Sequence, residues 1–190
     1  MSYKFETERL IIQTSDPDLD AKMLKYYYDN KAFFEEHEPA QPDQYFTLPI
    51  QRRILEQEAQ NMENKVCAYY YFALKENPDL IIGSISFIRI RKEPYANVVF
   101  GYNLHEKYQG NGYCTEACKA SIEDVLKFAP IHRIEARAMV DNYKSINVLE
   151  RCGFSYEGIE RKSILLGGEF RDHLRYAYIN ENYQSPGISM

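Results

Sequence analysis

Residues 107–113 read Lys107-Tyr108-Gln109-Gly110-Asn111-Gly112-Tyr113, a turn with two glycines set between the apolar run ANVVFGYNL (96–104) and a long amphipathic segment. At such a strand–turn–helix junction the first backbone N–H groups of the helix have no partner within it. The helix dipole adds positive potential there, so the place suits an anion such as a pyrophosphate. Gly110 and Gly112 let the main chain come close to a ligand with no Cβ in the way. The turn is not the dinucleotide fingerprint, because a third glycine is missing and the strands before it read as a meander. Nor is it a Walker loop, since no Lys-Ser/Thr follows Gly112. On its own the pattern also fits an ordinary tight turn.

Outward from the turn, Gly112 to Ala129 places Cys114, Ala117, Cys118, Ile122, Val125, Leu126 and Ala129 on one helical stripe. Arg133 to Val140 then alternates, with Ile134, Ala136, Ala138 and Val140 on one face and Arg133, Glu135 and Arg137 on a wet one. A short helix from Tyr143 to Cys152 stops at Gly153, and the strands SILL (163–166) and EFRDHLRYAYI (169–179) flank the hairpin signal Gly167-Gly168. Upstream, three strands fill Val66 to Leu104, separated by Asn77-Pro78-Asp79 and Glu93-Pro94. A polar helix is expected at Ile50–Asn64, preceded by a Pro-rich surface loop at 39–49. Asp16-Pro17-Asp18 opens an earlier helix carrying Leu19, Met23, Leu24, Tyr27 and Tyr28, after a strand at Arg9–Gln13. This order predicts an α+β fold: a mixed, mostly antiparallel central sheet of about six to seven strands flanked by helices. One domain is expected over 1–180, with a C-terminal tail at 181–190.

Composition narrows the function classes. Of 190 residues 45% are apolar and 27% charged, as in a folded globular chain. The 17 Tyr and 10 Phe, with no Trp, serve as core bodies with wet hydroxyls or as the walls of a groove. A net charge of −5 withholds the basic footprint of a nucleic-acid binder and suits a cationic partner. Four spread cysteines (Cys67, Cys114, Cys118 and Cys152) and an N-terminus without an apolar core predict a cytoplasmic protein with reduced thiols. No run of 18 apolar residues is present to span a membrane. Cys114 and Cys118 share a helix face, but no further ligands lie near them and no metal is expected. His105, His132 and His173 read as structural, and Tyr69-Tyr70-Tyr71-Phe72 as an aromatic strand that also has the chemistry of a groove wall.

A second segment is as informative: Asn142-Tyr143-Lys144-Ser145-Ile146-Asn147-Val148-Leu149-Glu150-Arg151-Cys152-Gly153-Phe154. Asn142 is placed to cap a helix at the end of a strand, and Ser145 lies one turn on and on the same side. The pair could grip a ligand or simply cap. Together the two segments resemble the GNAT superfamily of N-acetyltransferases. Its Q/R-x-x-G-x-G/A signature corresponds to Lys107–Gly112, with Lys first in place of Gln or Arg, and its N-x-x-S motif to Asn142–Phe154. TERLII (7–12), DNKAFFEEHEP (29–39), QYFT (44–47) and GGEFRDHLRYAYI are similar to the RimJ/RimL-type branch, which acetylates N-terminal alanine or serine of ribosomal proteins. Where that branch has Trp before Glu-Pro, this chain has His37.

The resemblance implies acetyl-CoA as cosubstrate, its pantetheine against Tyr102, Asn103 and Leu104. The pyrophosphate would rest on the backbone of Gln109, Gly110, Asn111, Gly112, Tyr113, Cys114 and Thr115, with Asn142 and Ser145 at the pantetheine arm. It also implies that His37 and Glu38 face the incoming amine; without it they read as a solvated loop pair. Many relatives use a strand Glu as base and a helix Tyr as acid, but here those positions read Val99 and Leu149. An α-amino group has a pKa near 8, so proximity, with a hydrogen bond from Ser145 near the sulfur, is the expected mechanism. The implied acceptor is a protein N-terminus. A small amine such as a polyamine or antibiotic, or a non-catalytic CoA-binding sensor role, is the alternative, and the chain is expected to be a monomer or homodimer.

Overall fold

The computed structural model describes residues 2–186; of the tail expected at 181–190, residues 187–190 lie outside that range. The chain starts with β1 (Lys4–Glu6) and β2 (Leu10–Thr14). Asp16 then accepts a hydrogen bond from the backbone N–H of Asp18 (3.0 Å), and Pro17 fixes the first φ of a single 3-10 turn that runs into α1 (Asp20–Asp29). The buried stripe here is Leu19, Met23 and Tyr26. Tyr28, expected on that stripe, sits two residues past Tyr26, on the far side of the helix, and is 69% exposed. α2 (Lys31–Glu35) follows a break at Asn30, whose amide donates to the Tyr26 carbonyl. The Pro-rich stretch is not an unbroken loop: it contains a 3-10 turn at Asp43–Phe46 and leads into α3 (Leu48–Glu63), with Pro49 in its first turn.

The expected meander is present as β3 (Cys67–Leu74), β4 (Asn77–Arg91) and β5 (Asn97–Leu104). The β3–β4 turn is Lys75-Glu76, so Asn77-Pro78-Asp79 opens β4 instead of separating the strands. Pro78 is tolerated because it falls in the bulge between the pairs Leu74–Asn77 and Ala73–Ile81. Next come α4 (Tyr113–Phe128), β6 (Arg133–Met139), α5 (Tyr143–Arg151), β7 (Ser155–Leu166) and β8 (Glu169–Ile179). Val140, expected on the buried face, lies past the end of β6 and is 44% exposed.

Among the described residues all strands join one sheet in the order β1-β2-β3-β4-β5-β6-β8-β7, in which only β5 and β6 run parallel. The sheet has eight strands instead of six or seven, because the three-residue β1 is too short to show any alternation in sequence. Both of its faces are covered, and β3 shows how. Tyr70 and Phe72 join the core beneath α4 and α5, with Cys118, Ile122, Val125 and Leu149. Tyr71 and Ala73 join a second core with Met23, Tyr26 and Leu55, beneath α1 and α3. Strand alternation therefore builds two compartments, and five consecutive β3 residues are buried. Phe72 packs flat on Gly83 of β4, where a Cβ would stand 2.0 Å from the ring. On the wet side of β6, Arg133 and Arg137 pair with Glu157 and Glu160 of β7. Past β8, Tyr183 donates to Glu93 (2.8 Å), so the start of the expected tail packs on the domain. Among the described residues no helix is long and apolar enough to cross a membrane.

Candidate active site

The parallel pairing of β5 with β6 runs from Asn97–Arg133 to Phe100–Ala136 and stops there. Beyond that point Gly101–Leu104 stay paired with β4, and Arg137–Met139 with β8. The two strands therefore part toward their C-terminal ends, leaving a wedge walled on one side by the main chain of Tyr102, Asn103 and Leu104. The helix that follows each strand begins at the mouth of this wedge. The gap beyond the carboxyl ends of parallel strands is where open sheets of this kind take ligands.

At the α4 side, Gly110 (φ +80°) and Gly112 (φ +79°) hold left-handed backbone that other residues adopt only with strain. A Cβ at Gly110 would meet nothing within 4 Å, so conformation and not crowding within the chain calls for glycine there. No side chain caps α4, and its first helical bond runs from Glu116 N to Gly112 O (3.1 Å). The N–H groups of Tyr113, Cys114 and Thr115 are thus left to a ligand. The Cys114 side chain turns into the core, 4.0 Å from the Cys118 sulfur, so only its backbone faces the mouth. Asn111 folds its amide back onto the carbonyls of Tyr108 and Gln109.

Arg9 fixes this turn: it donates to the Asn111 carbonyl (2.9 Å), lies over the Tyr113 ring (4.5 Å) and pairs with Glu116 (2.6 Å). Lys144 at the start of α5 donates to the Gln109 side chain (2.6 Å), tying the two helix starts together across the mouth. Neither role was legible in sequence, because Arg9 lies about a hundred positions from its partners.

At the α5 side, Asn142 caps the helix, its Oδ1 accepting from Ser145 N (3.0 Å). The Ser145 hydroxyl lies 2.8 Å from Tyr102 Oη, which also donates to the Ser145 carbonyl (2.9 Å). Burial, with the Cys118 and Cys114 thiols beside it, pushes the Tyr102 hydroxyl well above the usual phenol range, so it keeps its proton. Leu149, one turn above Ser145, is fully buried, and Val99 is half-buried on β5.

Asn103, next to Tyr102, points through the other face of the sheet. Its amide donates to Glu38 Oε1 (2.8 Å). Glu38 and Asn103 line a cavity of about 80 Å³ whose aromatic walls include Tyr27, Phe34, Tyr45 and Phe46. Burial raises the Glu38 carboxyl above its ordinary range, while the Asn103 amide and His37 pull it back. His37 itself turns away from the cavity, with its ring against Phe33. Of the expected acceptor-side pair, only Glu38 reaches the cavity wall. Among the described residues no cluster of three or more His, Cys, Asp or Glu could hold a metal ion.

Known proteins resemble the chain in sequence and in fold. A family model described as an acetyltransferase (GNAT) domain matches residues 9–155. The chain is 32% identical over 152 residues to the probable N-acetyltransferase YjcK of Bacillus subtilis, covering 80% of this chain and 83% of the relative. It is 28% identical over 185 residues to the ribosomal protein uS5-alanine N-acetyltransferase of Escherichia coli, covering 97% and 94%. The crystal structure of ribosomal-protein-S5-alanine acetyltransferase from Vibrio fischeri superposes with a TM-score of 0.92 at 26% identity, over 96% of this chain and 99% of that one. RimL, a ribosomal L7/L12 alpha-N-protein acetyltransferase in complex with coenzyme A, shares the fold with a TM-score of 0.83 at 22% identity, over 93% and 98%.

Proposed function

The chain belongs to the GNAT acetyltransferase family and is an N-acetyltransferase; from this premise we propose that it carries the acetyl group of acetyl-CoA directly to the N-terminal amine of a protein. The observation that carries this reading is the wedge between β5 and β6, with the uncapped start of α4 at its mouth. The residues present fit such a cosubstrate. A pyrophosphate takes the free N–H groups of Tyr113, Cys114 and Thr115, and the unpaired edge of Tyr102–Leu104 offers a pantetheine amide strand-like hydrogen bonds. Gln109, Gly110, Asn111 and Gly112 shape the turn around the phosphates, and Asn142 holds the start of α5 in place. Ser145, backed by the protonated Tyr102, donates to the sulfur as the thiol departs.

We read the acceptor as an alanine or serine terminus of a ribosomal protein, after the names of the relatives, and the setting as cytoplasmic. The small cavity lined by Glu38 supports this choice, since about 80 Å³ suits an amine on a small first residue. Residues 1–180 act in this reading as one catalytic domain. The test is thiol release from acetyl-CoA with peptides starting in Ala, Ser or Leu, set beside polyamines and an aminoglycoside. Release is expected with the Ala and Ser peptides first. Preference for a polyamine would replace the acceptor, and binding of CoA without release on any amine would leave a sensor.

A further inference from the structure

Acyl transfer to an amine needs a nitrogen with a free electron pair, so the acceptor ammonium has to shed a proton near the thioester. β5 offers no group for this. On the face toward α1 and α2 it presents Val99, Gly101 and Asn103, none of which takes a proton. The carboxylate that bonds to the end of that face, at Asn103, comes from the segment after α2. Glu38 is anchored at Oε1 by Asn103, and Oε2 has no hydrogen-bond partner among the described residues. Just behind it Tyr26 Oη, fully buried, has Ser84 as a neighbour but no partner in good hydrogen-bonding geometry. The site thus holds an open carboxylate oxygen, as expected where a small polar group is to be received.

Resting on the reading above, we propose that Glu38 is the base for the acceptor amine and that Asn103 positions it. The ammonium gives one proton to Glu38 Oε2, and the freed pair on nitrogen bonds the thioester carbon. The C–S pair leaves on sulfur, which accepts a hydrogen bond from the Ser145 hydroxyl as it departs and takes its proton from solvent. The second nitrogen proton passes to water, and Glu38 then releases its own to solvent. In sum, one ammonium and one thioester become one amide, one thiol and one released proton. The titratable groups facing Glu38 are His37, Lys31 and Glu35 from its own segment, and Tyr26, Tyr27 and Tyr45 from the elements packed against it. Lys31 is engaged with Asp43 and the Phe46 ring, so it leaves the carboxylate free to serve as base.

The test uses Glu38→Gln and Asn103→Ala in the full chain, with kcat and KM followed across pH. Glu38→Gln is expected to lose roughly 10²-fold or more in kcat at neutral pH and to recover as pH passes the amine's own pKa near 8. Its affinity for acetyl-CoA, measured by calorimetry, should not change. Asn103→Ala removes a bond that holds Glu38 ionised, so the acid limb of kcat/KM should move to higher pH. The Glu38 carboxyl, titrated by NMR with no substrate present, should move with it. A Glu38→Gln protein with wild-type kcat and pH profile, or with only KM raised, overturns the assignment while the function stands. A wild-type protein that acetylates no amine overturns the function instead. Should Glu38→Gln fail to fold, an unmoved acid limb in Asn103→Ala overturns the assignment by itself.

Discussion

Ser145 and Tyr102 meet in the wedge although they lie 43 positions apart, and the contact joins a helix start to the strand wall. Losing the Ser145 hydroxyl leaves Tyr102 still bonded to the Ser145 carbonyl, so the local structure has a second tether. Ser145→Ala is therefore expected to cost about 1 kcal/mol of stability and roughly 10²-fold in kcat; an unchanged kcat in steady-state assays would remove Ser145 from the chemistry. A different residue governs stability against pH. Glu58 on α3 accepts from Tyr71 (2.5 Å) and Ser15 (2.9 Å), yet burial pushes its carboxyl up to about 7. Between its ordinary value of 4.5 and about 7 the folded chain keeps a proton that the unfolded chain releases. Stability from this group is thus full below the unfolded value, falls as pH rises through that window, and is lost above it. Glu58→Gln keeps an acceptor for both hydroxyls and never ionises. It should stabilise the protein by roughly 2–3 kcal/mol at pH 8 and have little effect at pH 5, as read from thermal unfolding at both.

At the scale of elements, the turn before α4 and the bed of β4 depend on glycine for opposite reasons. Gly112 needs its left-handed φ and has open space around it, with only an Arg9 nitrogen within 4 Å of where a Cβ would stand. Gly112→Asn, which tolerates that conformation, should keep more CoA affinity than Gly112→Val, for which the strain is about 1–2 kcal/mol; equal affinities in a binding titration would contradict this. Gly83 needs the space, because Phe72 fills it. Gly83→Ala must push the ring aside, and a loss of about 1–3 kcal/mol with a lower Tm is expected. These elements also show what sequence carries. Alternation marks β6 because one face is buried and the other wet, the 3–4 stripe marks α4 because one side of that helix packs on the sheet, and β3 reads as a nearly continuous apolar run because both its faces are covered. β1 is three residues long, and the bulge at Phe72–Leu74 moved the start of β4, so neither left a readable period. The turn 107–113 and Asn142–Ser145 were legible as local motifs. The Arg9 clamp, the Lys144–Gln109 bridge and the Glu38–Asn103 contact were not, since each joins segments that only the folded sheet brings together.

Across the whole molecule the sheet is a partition. α4 and α5 cover one side, α1 and α3 the other, and the aromatic load divides between the two cores. Tyr27, Tyr45, Phe34 and Phe46 stand at the cavity, while Tyr70, Phe72, Phe87 and Phe100 pack beneath α4. β5 serves the site from both sides, sending Tyr102 to Ser145 and Asn103 to Glu38. In the proposed reaction donor and acceptor accordingly approach from opposite sides and meet only where the β5–β6 ladder has ended. Two reactants that enter by separate doors need not take turns. Both should be able to sit in place at once, giving intersecting double-reciprocal plots, with free CoA competing against acetyl-CoA and not against the peptide. A single molecule with a CoA arm tethered through its sulfur to a short peptide amine would thread the opening from one side to the other and hold the two layers like a rivet.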